Sequence, residues 1–256
     1  KWAGGFLGER KKLGLPYITS LILLIDPRVG NFKAVMDGEW ITSMRTGAQT
    51  AVSLKYLHKG SSIRLGLYGA GGQGHTQTEA VAAVFDIEEV RVFDINREST
   101  LKYAEDMKGI VKGKVTVVDD PRDAAWGDAI VCVTQSKEKF LRNEWIARGT
   151  NVFPMGSYQE VDDDFILSAD RVIVDHVGQC LHRGALKGLV EAGKFQESDI
   201  DATIGEVVAG KKPGRLSDGD RVLCIPIGTG AMDIVVATVI LKRAKEKGLG
   251  GHFDFV

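Results

Sequence analysis

The chain has 256 residues, 44% hydrophobic and 26% charged, the balance of a globular protein with material for one large or two modest domains. Thirty-three basic against 34 acidic side chains leave a formal charge of −1, which argues against nucleic acid or a membrane surface as partner. No apolar run reaches the roughly 18 residues needed to span a bilayer. The three cysteines, Cys132, Cys180 and Cys224, are odd in number and far apart, so they read as free thiols in a reducing cytoplasm rather than a disulfide framework.

Residues 1–20 are glycine-rich and basic and read as loop; there is no signal-peptide pattern, and the first residue, Lys1, points to a further segment upstream. Ser20 to Asp26 reads as a buried strand, Pro27 to Asn31 as a turn and Phe32 to Met36 as the hairpin partner. Ile41 to Leu57 carries a helical stripe of Ala48, Val52, Leu54 and Leu57, with Thr42 or Ser43 as its cap. Gly60-Ser61-Ser62 is the natural linker into a second domain.

Ile63 to Tyr68 is a strand-length apolar run that turns at Gly69-Ala70-Gly71-Gly72-Gln73-Gly74, opens a helix with apolar Ala80, Val81, Ala83 and Val84, and returns as the strand Glu89 to Phe93. Asp94 comes directly after that strand, twenty residues after Gly74. Gly69 permits the tight turn, Gly71 lets backbone approach a pyrophosphate, and Gly74 allows close packing of helix on strand. The helix N-terminus offers N–H groups and partial positive charge to phosphate, and Asp94 can accept from both ribose hydroxyls. The pattern predicts a dinucleotide site preferring NAD; Arg97 blurs that preference, since an arginine can accommodate the 2′-phosphate of NADP.

Beyond Asp94, helices over Asn96 to Met107 and Asp120 to Trp126 alternate with strands at Lys114 to Val118 and Ala129 to Thr134, and short strands come next at Asn151 to Met155, Arg171 to Val174 and Arg221 to Ile227. Ala185 to Ala192 and Ile204 to Ala209 read as helical, and Ala231 to Lys247 as a last amphipathic helix. Alternation of this kind predicts an α/β protein with a parallel, doubly wound sheet. Thr134, at the end of a strand, sits where such sheets place ligands.

Other constellations carry less. His176, Cys180 and His182 lack the fourth ligand or recognised spacing of a zinc site, so no metal is expected. Asp162 to Asp164 reads as negative charge at a helix N-terminus. His75 reads as a solvated first-turn side chain, and Gln73 is the better loop contact. There is no Gly-x-Ser-x-Gly, hence no support for a serine hydrolase.

Lys1-Trp2, Gly14-Leu15-Pro16, Met36-Asp37-Gly38, Arg45-Thr46-Gly47-Ala48, Gly69-Ala70-Gly71-Gly72-Gln73, Met155-Gly156-Ser157, and Gly228 with Asp233 together resemble the ornithine cyclodeaminase/mu-crystallin superfamily along nearly the whole chain. Within it, Asp175 to Gly184 and Pro226 to Asp233 resemble a branch named for a tyramine oxidase subunit. The resemblance implies a Rossmann-like dinucleotide-binding domain, residues 61–227, inserted in a smaller α+β domain, residues 1–60 and 228–256, that binds substrate and builds a homodimer through residues 21–41 and 231–247. It implies NAD, or NADP, held by Arg45, Thr46, Gly69, Gly71, Gly72, Gln73, Gly74, Asp94, Thr134 and Gly228. Lys1 and Arg45 would hold the carboxylate of a small amino or imino acid, a task suited to the planar fork of arginine.

Two departures bear on the chemistry. Family members that cyclise or deaminate carry an aspartate where this chain has Ser157, and a hydroxyl is a poor proton acceptor without an activating base. Serine there resembles mu-crystallin-like branches associated with reduction of cyclic imines. Glu160 and Asp162 to Asp164 are the nearby acids that could substitute, but they lie three or more residues on, and the aspartates are expected to cap a helix facing away. The second departure is Glu9-Arg10, where an asparagine is more usual. The expected function is therefore an NAD(P)-dependent oxidoreductase of the C–N bond of a small imine or amino acid. The alternatives are an ammonia-eliminating cyclodeaminase and a non-catalytic, nucleotide-binding, crystallin-like protein.

Overall fold

The computed structural model describes residues 1–6 and 9–253, with the side chains of Glu9 and Lys11 outside the description, so the Glu9 departure from the family has no structural account. Two compact units emerge, Lys1–Arg45 with Thr229–Val256, and Thr46–Gly228.

The first unit opens with β1 (Trp2–Gly5), α1 (Glu9–Lys12), β2 (Ile18–Ile25) and β3 (Phe32–Asp37). They form an antiparallel sheet in the order β1-β2-β3, with Trp2 opposite Leu21 and Leu23 opposite Val35. The β1 strand corrects the expectation of loop over residues 1–20. Its Trp-Ala-Gly-Gly sequence has no apolar alternation to announce it, and it is held by pairing with β2. β2 is also not buried on both faces: Ile22 and Leu24 point inward while Leu21, Leu23 and Ile25 are 42–46% exposed. Such alternation belongs to an antiparallel sheet with one packed face.

The helix α2 (Glu39–Leu57) starts two residues earlier than the apolar stripe suggests. The Asp37 carboxylate accepts from the Glu39 N–H at its start, and Thr42 lies inside the helix with its hydroxyl donating back to the Gly38 carbonyl. Thr42 and Ser43 are thus not the cap, because Asp37-Gly38 already ends the strand and supplies an acceptor.

The second unit holds β4 (Ser62–Tyr68), α3 (Gly72–Ala82), β5 (Asp86–Phe93), α4 (Arg97–Asp106), β6 (Lys114–Val117), α5 (Pro121–Ala124), β7 (Ala129–Cys132), β8 (Asn151–Pro154), α6 (Asp163–Ser168), β9 (Arg171–Val174), α7 (Val177–His182), α8 (Lys187–Glu191), β10 (Ala202–Thr203), α9 (Ile204–Val208) and β11 (Val222–Ile225). The stretch Asp175 to Gly184 is therefore mostly α7. The eight strands pair in the order β10-β9-β11-β8-β7-β4-β5-β6, every pairing parallel. β7, β8, β9 and β11 are buried at every residue, as a sheet covered on both faces requires. One apolar cluster gathers Leu65, Leu67, Val90, Val92 and Phe153 with α2 and α3, and the other gathers Ile130, Val152, Val172, Leu223 and Phe165. The order reverses at β4, with β5 and β6 on one side and β7 and β8 on the other. The crevice at the carboxyl ends of β4 and β7 is the switch point where doubly wound sheets bind ligands.

The last helix, α10 (Gly230–Glu246), belongs to the first unit, where Ala237, Val236 and Ile240 pack with Ile22, Leu24 and Ile41. No helix among the described residues is long and apolar enough to cross a membrane.

Candidate functional site

The glycine loop leaves β4 and enters α3. Gly69 takes φ +104°, a left-handed conformation that favours glycine, and a Cβ there would lie 2.9 Å from the Val133 carbonyl oxygen. A Cβ at Gly74 would fall 2.2 Å from the Gly69 carbonyl oxygen, so that position is closed by the fold itself. At Gly71 and Gly72 the opposite holds: an added Cβ would meet nothing within 4 Å. Bare backbone at the start of an eleven-residue helix, facing open space, is suited to cradle an anion. The Gln73 Oε1 is buried with no hydrogen-bond partner among the described residues, a polar atom awaiting a donor. His75 is turned away from such a role, its ring set between the Gly71 carbonyl and Asp106.

Asp94, directly after β5, closes the loop. Its Oδ2 accepts from the Ala70 N–H at 2.8 Å and its Oδ1 from the Asn96 N–H at 2.8 Å. A carboxylate oxygen has two lone pairs, so both retain capacity for ribose hydroxyls. Asn96 then caps α4 by accepting from the Ser99 N–H. Phe93, Asp94, Ile95, Arg97, Val118 and Asp119 line a cavity of about 330 Å³ beside this acid. Taken together, cradle, orphaned amide and acid fit a dinucleotide.

At the carboxyl end of β7 the Thr134 N–H and hydroxyl both donate to Glu160 Oε1, at 2.8 and 2.5 Å. Glu160 is fully buried, and its Oε2 has no partner among the described residues. Burial outweighs the two Thr134 hydrogen bonds and pushes this carboxyl up to about 7. An ideal Cβ on Gly156 would stand 3.6 Å from Oε2, which places the acid beneath the Gly156-Ser157 turn. Proximity in sequence to three aspartates makes Glu160 look like part of a solvated run. In the fold it parts from them: Asp162 pairs with Arg142, and Asp163 with Lys139 at the start of α6. Ser157 accepts from Arg183 Nε and Nη2 at 2.8 and 2.6 Å.

Gly228, at φ +96°, donates its N–H to Asp175 Oδ2, which also accepts from Gln49 Nε2 at 3.3 Å. Thr46 is buried near the start of the same unit. Cys132, Cys180 and Cys224 are free and buried, and burial raises each thiol, Cys180 and Cys224 to about 12. No group of three or more histidine, cysteine or acidic side chains among the described residues is arranged to hold a metal.

In the first unit, Lys1 and Arg45 meet on one acid. Lys1 Nζ lies 2.8 Å and Arg45 Nε 3.0 Å from Asp233 Oδ1, and Lys1 also donates to the Thr42 hydroxyl at 2.6 Å. The three side chains are only 10%, 11% and 3% exposed. Burial lowers the Lys1 ammonium pKa, opposed by its bond to Asp233 and aided by the Arg45 charge. Sequence reasoning does not single out Asp233, Glu160 or Asp175 as site residues; for Asp233 the available signal is its place in the Gly228–Asp233 run.

A glycine loop at the switch point of a parallel sheet, with an acid directly after the next strand, is the arrangement of α/β dinucleotide-binding proteins. The chain belongs to the ornithine cyclodeaminase/mu-crystallin family, whose model matches residues 1–248. It is 34% identical to the alanine dehydrogenase of Archaeoglobus fulgidus over 262 residues, covering 100% of this chain and 79% of that protein. The Δ1-pyrroline-2-carboxylate reductase of Thermococcus litoralis, solved with NADH and L-proline, superposes with a TM-score of 0.92 at 31% identity, covering 98% of this chain and 79% of that one. An archaeal alanine dehydrogenase dimer with bound NAD gives 0.92 at 32% identity, covering 100% and 80%.

Proposed function

We propose that this protein is an NAD-dependent oxidoreductase acting on the C–N bond of a small amino or imino acid. The observation that carries it is the buried pair Lys1 and Arg45 on Asp233, in a chain that also has an open glycine cradle backed by Asp94. The relatives support it, since the proteins it resembles carry names of amino-acid dehydrogenation and cyclic-imine reduction and two were solved with NADH or NAD.

The nicotinamide, when bound, supplies the hydride donor or acceptor. Bare backbone at Gly71 and Gly72, with the Gln73 amide, holds the pyrophosphate; Asp94 holds the adenosine ribose. Thr46, Thr134 and Gly228 are assigned to the same cofactor, Thr134 with its orientation fixed by Glu160. Arg45 and Lys1 fix the substrate carboxylate. Asp233 holds both cations in position before substrate arrives, which lowers the ordering cost of binding. Lys1, its pKa lowered by burial, is also suited to move a proton to or from the substrate nitrogen. The unit Thr46–Gly228 is accordingly the dinucleotide-binding domain, and its companion the substrate and oligomerisation domain.

We also infer a homodimer, as in the alanine dehydrogenase neighbour. Leu21, Leu23, Ile25, Phe32 and Val35 of the sheet, and Val235 and Val239 of α10, are exposed apolar side chains in the segments assigned to that interface. The cytoplasm is the proposed compartment, from three free cysteines. The function is tested by following NADH absorbance at 340 nm with Δ1-pyrroline-2-carboxylate, and with pyruvate plus ammonia. Oxidation dependent on one of these is expected, and its absence with bound cofactor would favour a non-catalytic role.

A further inference from the structure

The cavity beside Asp94 is lined by Phe93, Ile95 and Val118, apolar surface suited to a flat base, with a charged rim of Asp94, Arg97 and Asp119. Arg97 is the residue that makes the sequence ambiguous, because a guanidinium beside a ribose can take a 2′-phosphate with paired hydrogen bonds. In the fold it is engaged elsewhere: its Nη1 donates to Asp119 Oδ1, across from the end of β6. Two carboxylates and one guanidinium leave this rim with a net charge of −1. A phosphate placed there would have to displace Asp119 from Arg97 and then sit beside two like charges.

We propose that Asp119 is a specificity-determining residue, which selects NAD over NADP by holding Arg97 as its own counter-ion. The assignment rests on the reading of the glycine loop as a dinucleotide site. Asp94 alone does not account for selectivity, because Arg97, lining the same cavity, would otherwise offset its charge. Arg97 and Asp119 are 59% and 80% exposed, so neither is needed to fill the core, and substitution leaves the fold standing.

The test is direct binding to the full chain, by fluorescence of NADH and NADPH, for the unmodified protein, Asp119→Asn, Arg97→Ala and the double variant. Asp119→Asn should tighten NADPH relative to NADH on the order of tenfold, an exposed ion pair and one like charge being modest at this distance. That gain should shrink in higher salt and vanish in the double variant, while Arg97→Ala alone changes NADPH binding little. A ratio unmoved by Asp119→Asn, with NADH still bound, overturns the role of Asp119. So does a large loss of NADPH binding in Arg97→Ala, which would mean that Arg97 already serves the phosphate. Failure of the unmodified chain to bind either nucleotide overturns the dinucleotide reading itself.

Discussion

Lys1 and Asp233, 232 positions apart, are joined by a 2.8 Å ion pair, and Arg45 reaches the same carboxylate oxygen. One acid thus serves as the common anchor of the two cations assigned to substrate. Replacing Asp233 with Asn should remove the negative charge that Lys1 and Arg45 share in a partly buried setting, at a cost of about 3 kcal/mol of stability. It should also lower kcat/KM for the imino acid roughly 100-fold through lost orientation, while the Kd for NADH stays within about threefold. Thermal unfolding and steady-state kinetics of the variant check this; unchanged kcat/KM would remove Asp233 from the site.

The glycines divide into two kinds, and substitution should separate them. At Gly74 the added methyl meets the Gly69 carbonyl at 2.2 Å, so Gly74→Ala must move backbone and should lower Tm by several degrees, about 4 °C or more. At Gly71 the methyl meets nothing within 4 Å, so Gly71→Ala should fold normally yet bind NADH on the order of tenfold more weakly, the cradle being filled. Calorimetry and cofactor titration on both variants distinguish them. Equal NADH affinity in Gly71→Ala would mean that no phosphate approaches there.

Glu160 gives a pH dependence whose sign is fixed by its direction of shift. Its carboxyl is raised from 4.5 to about 7 by burial, so the folded state holds a proton that the unfolded state has released. Its contribution to stability is full below pH 4.5 and is lost as pH rises to 7, an effect of about 3 kcal/mol. Glu160→Gln cannot ionise, so its stability relative to the unmodified protein should grow between pH 5 and about 7 and then level. Paired denaturant titrations across that range measure it. A difference independent of pH would show that Glu160 is not held protonated.

The reach of sequence reading varies with the distance over which each feature is encoded. The cradle is legible because strand, glycines, helix, strand and Asp94 lie within one short stretch whose apolar periodicity switches on cue. The acid at 233 is visible only as part of a family-like run, since no local pattern ties it to Lys1. The β1 strand reads as loop because Trp-Ala-Gly-Gly owes its extension to pairing with β2 rather than to its own propensity. Glu160 is obscured by its acidic neighbours, yet burial, which a single sequence does not display, separates it from Asp162 and Asp163.

Ser157 bears on which reaction is run. Its hydroxyl accepts two hydrogen bonds from Arg183, a cation that stabilises the oxygen lone pairs and opposes their use as a base. Incubation with ornithine and catalytic NAD should release no ammonia and form no proline. Turnover near the roughly 10 per second of a typical enzyme would restore the cyclodeaminase reading.

The most direct measurement is the oxidation of NADH, followed at 340 nm, by the full chain with Δ1-pyrroline-2-carboxylate or with pyruvate and ammonia, alongside Arg45→Ala. The proposed function predicts substrate-dependent oxidation by the unmodified protein and its loss in the variant even at NADH concentrations that saturate it. Binding of NADH without oxidation on either substrate, or oxidation undiminished in Arg45→Ala, would contradict it.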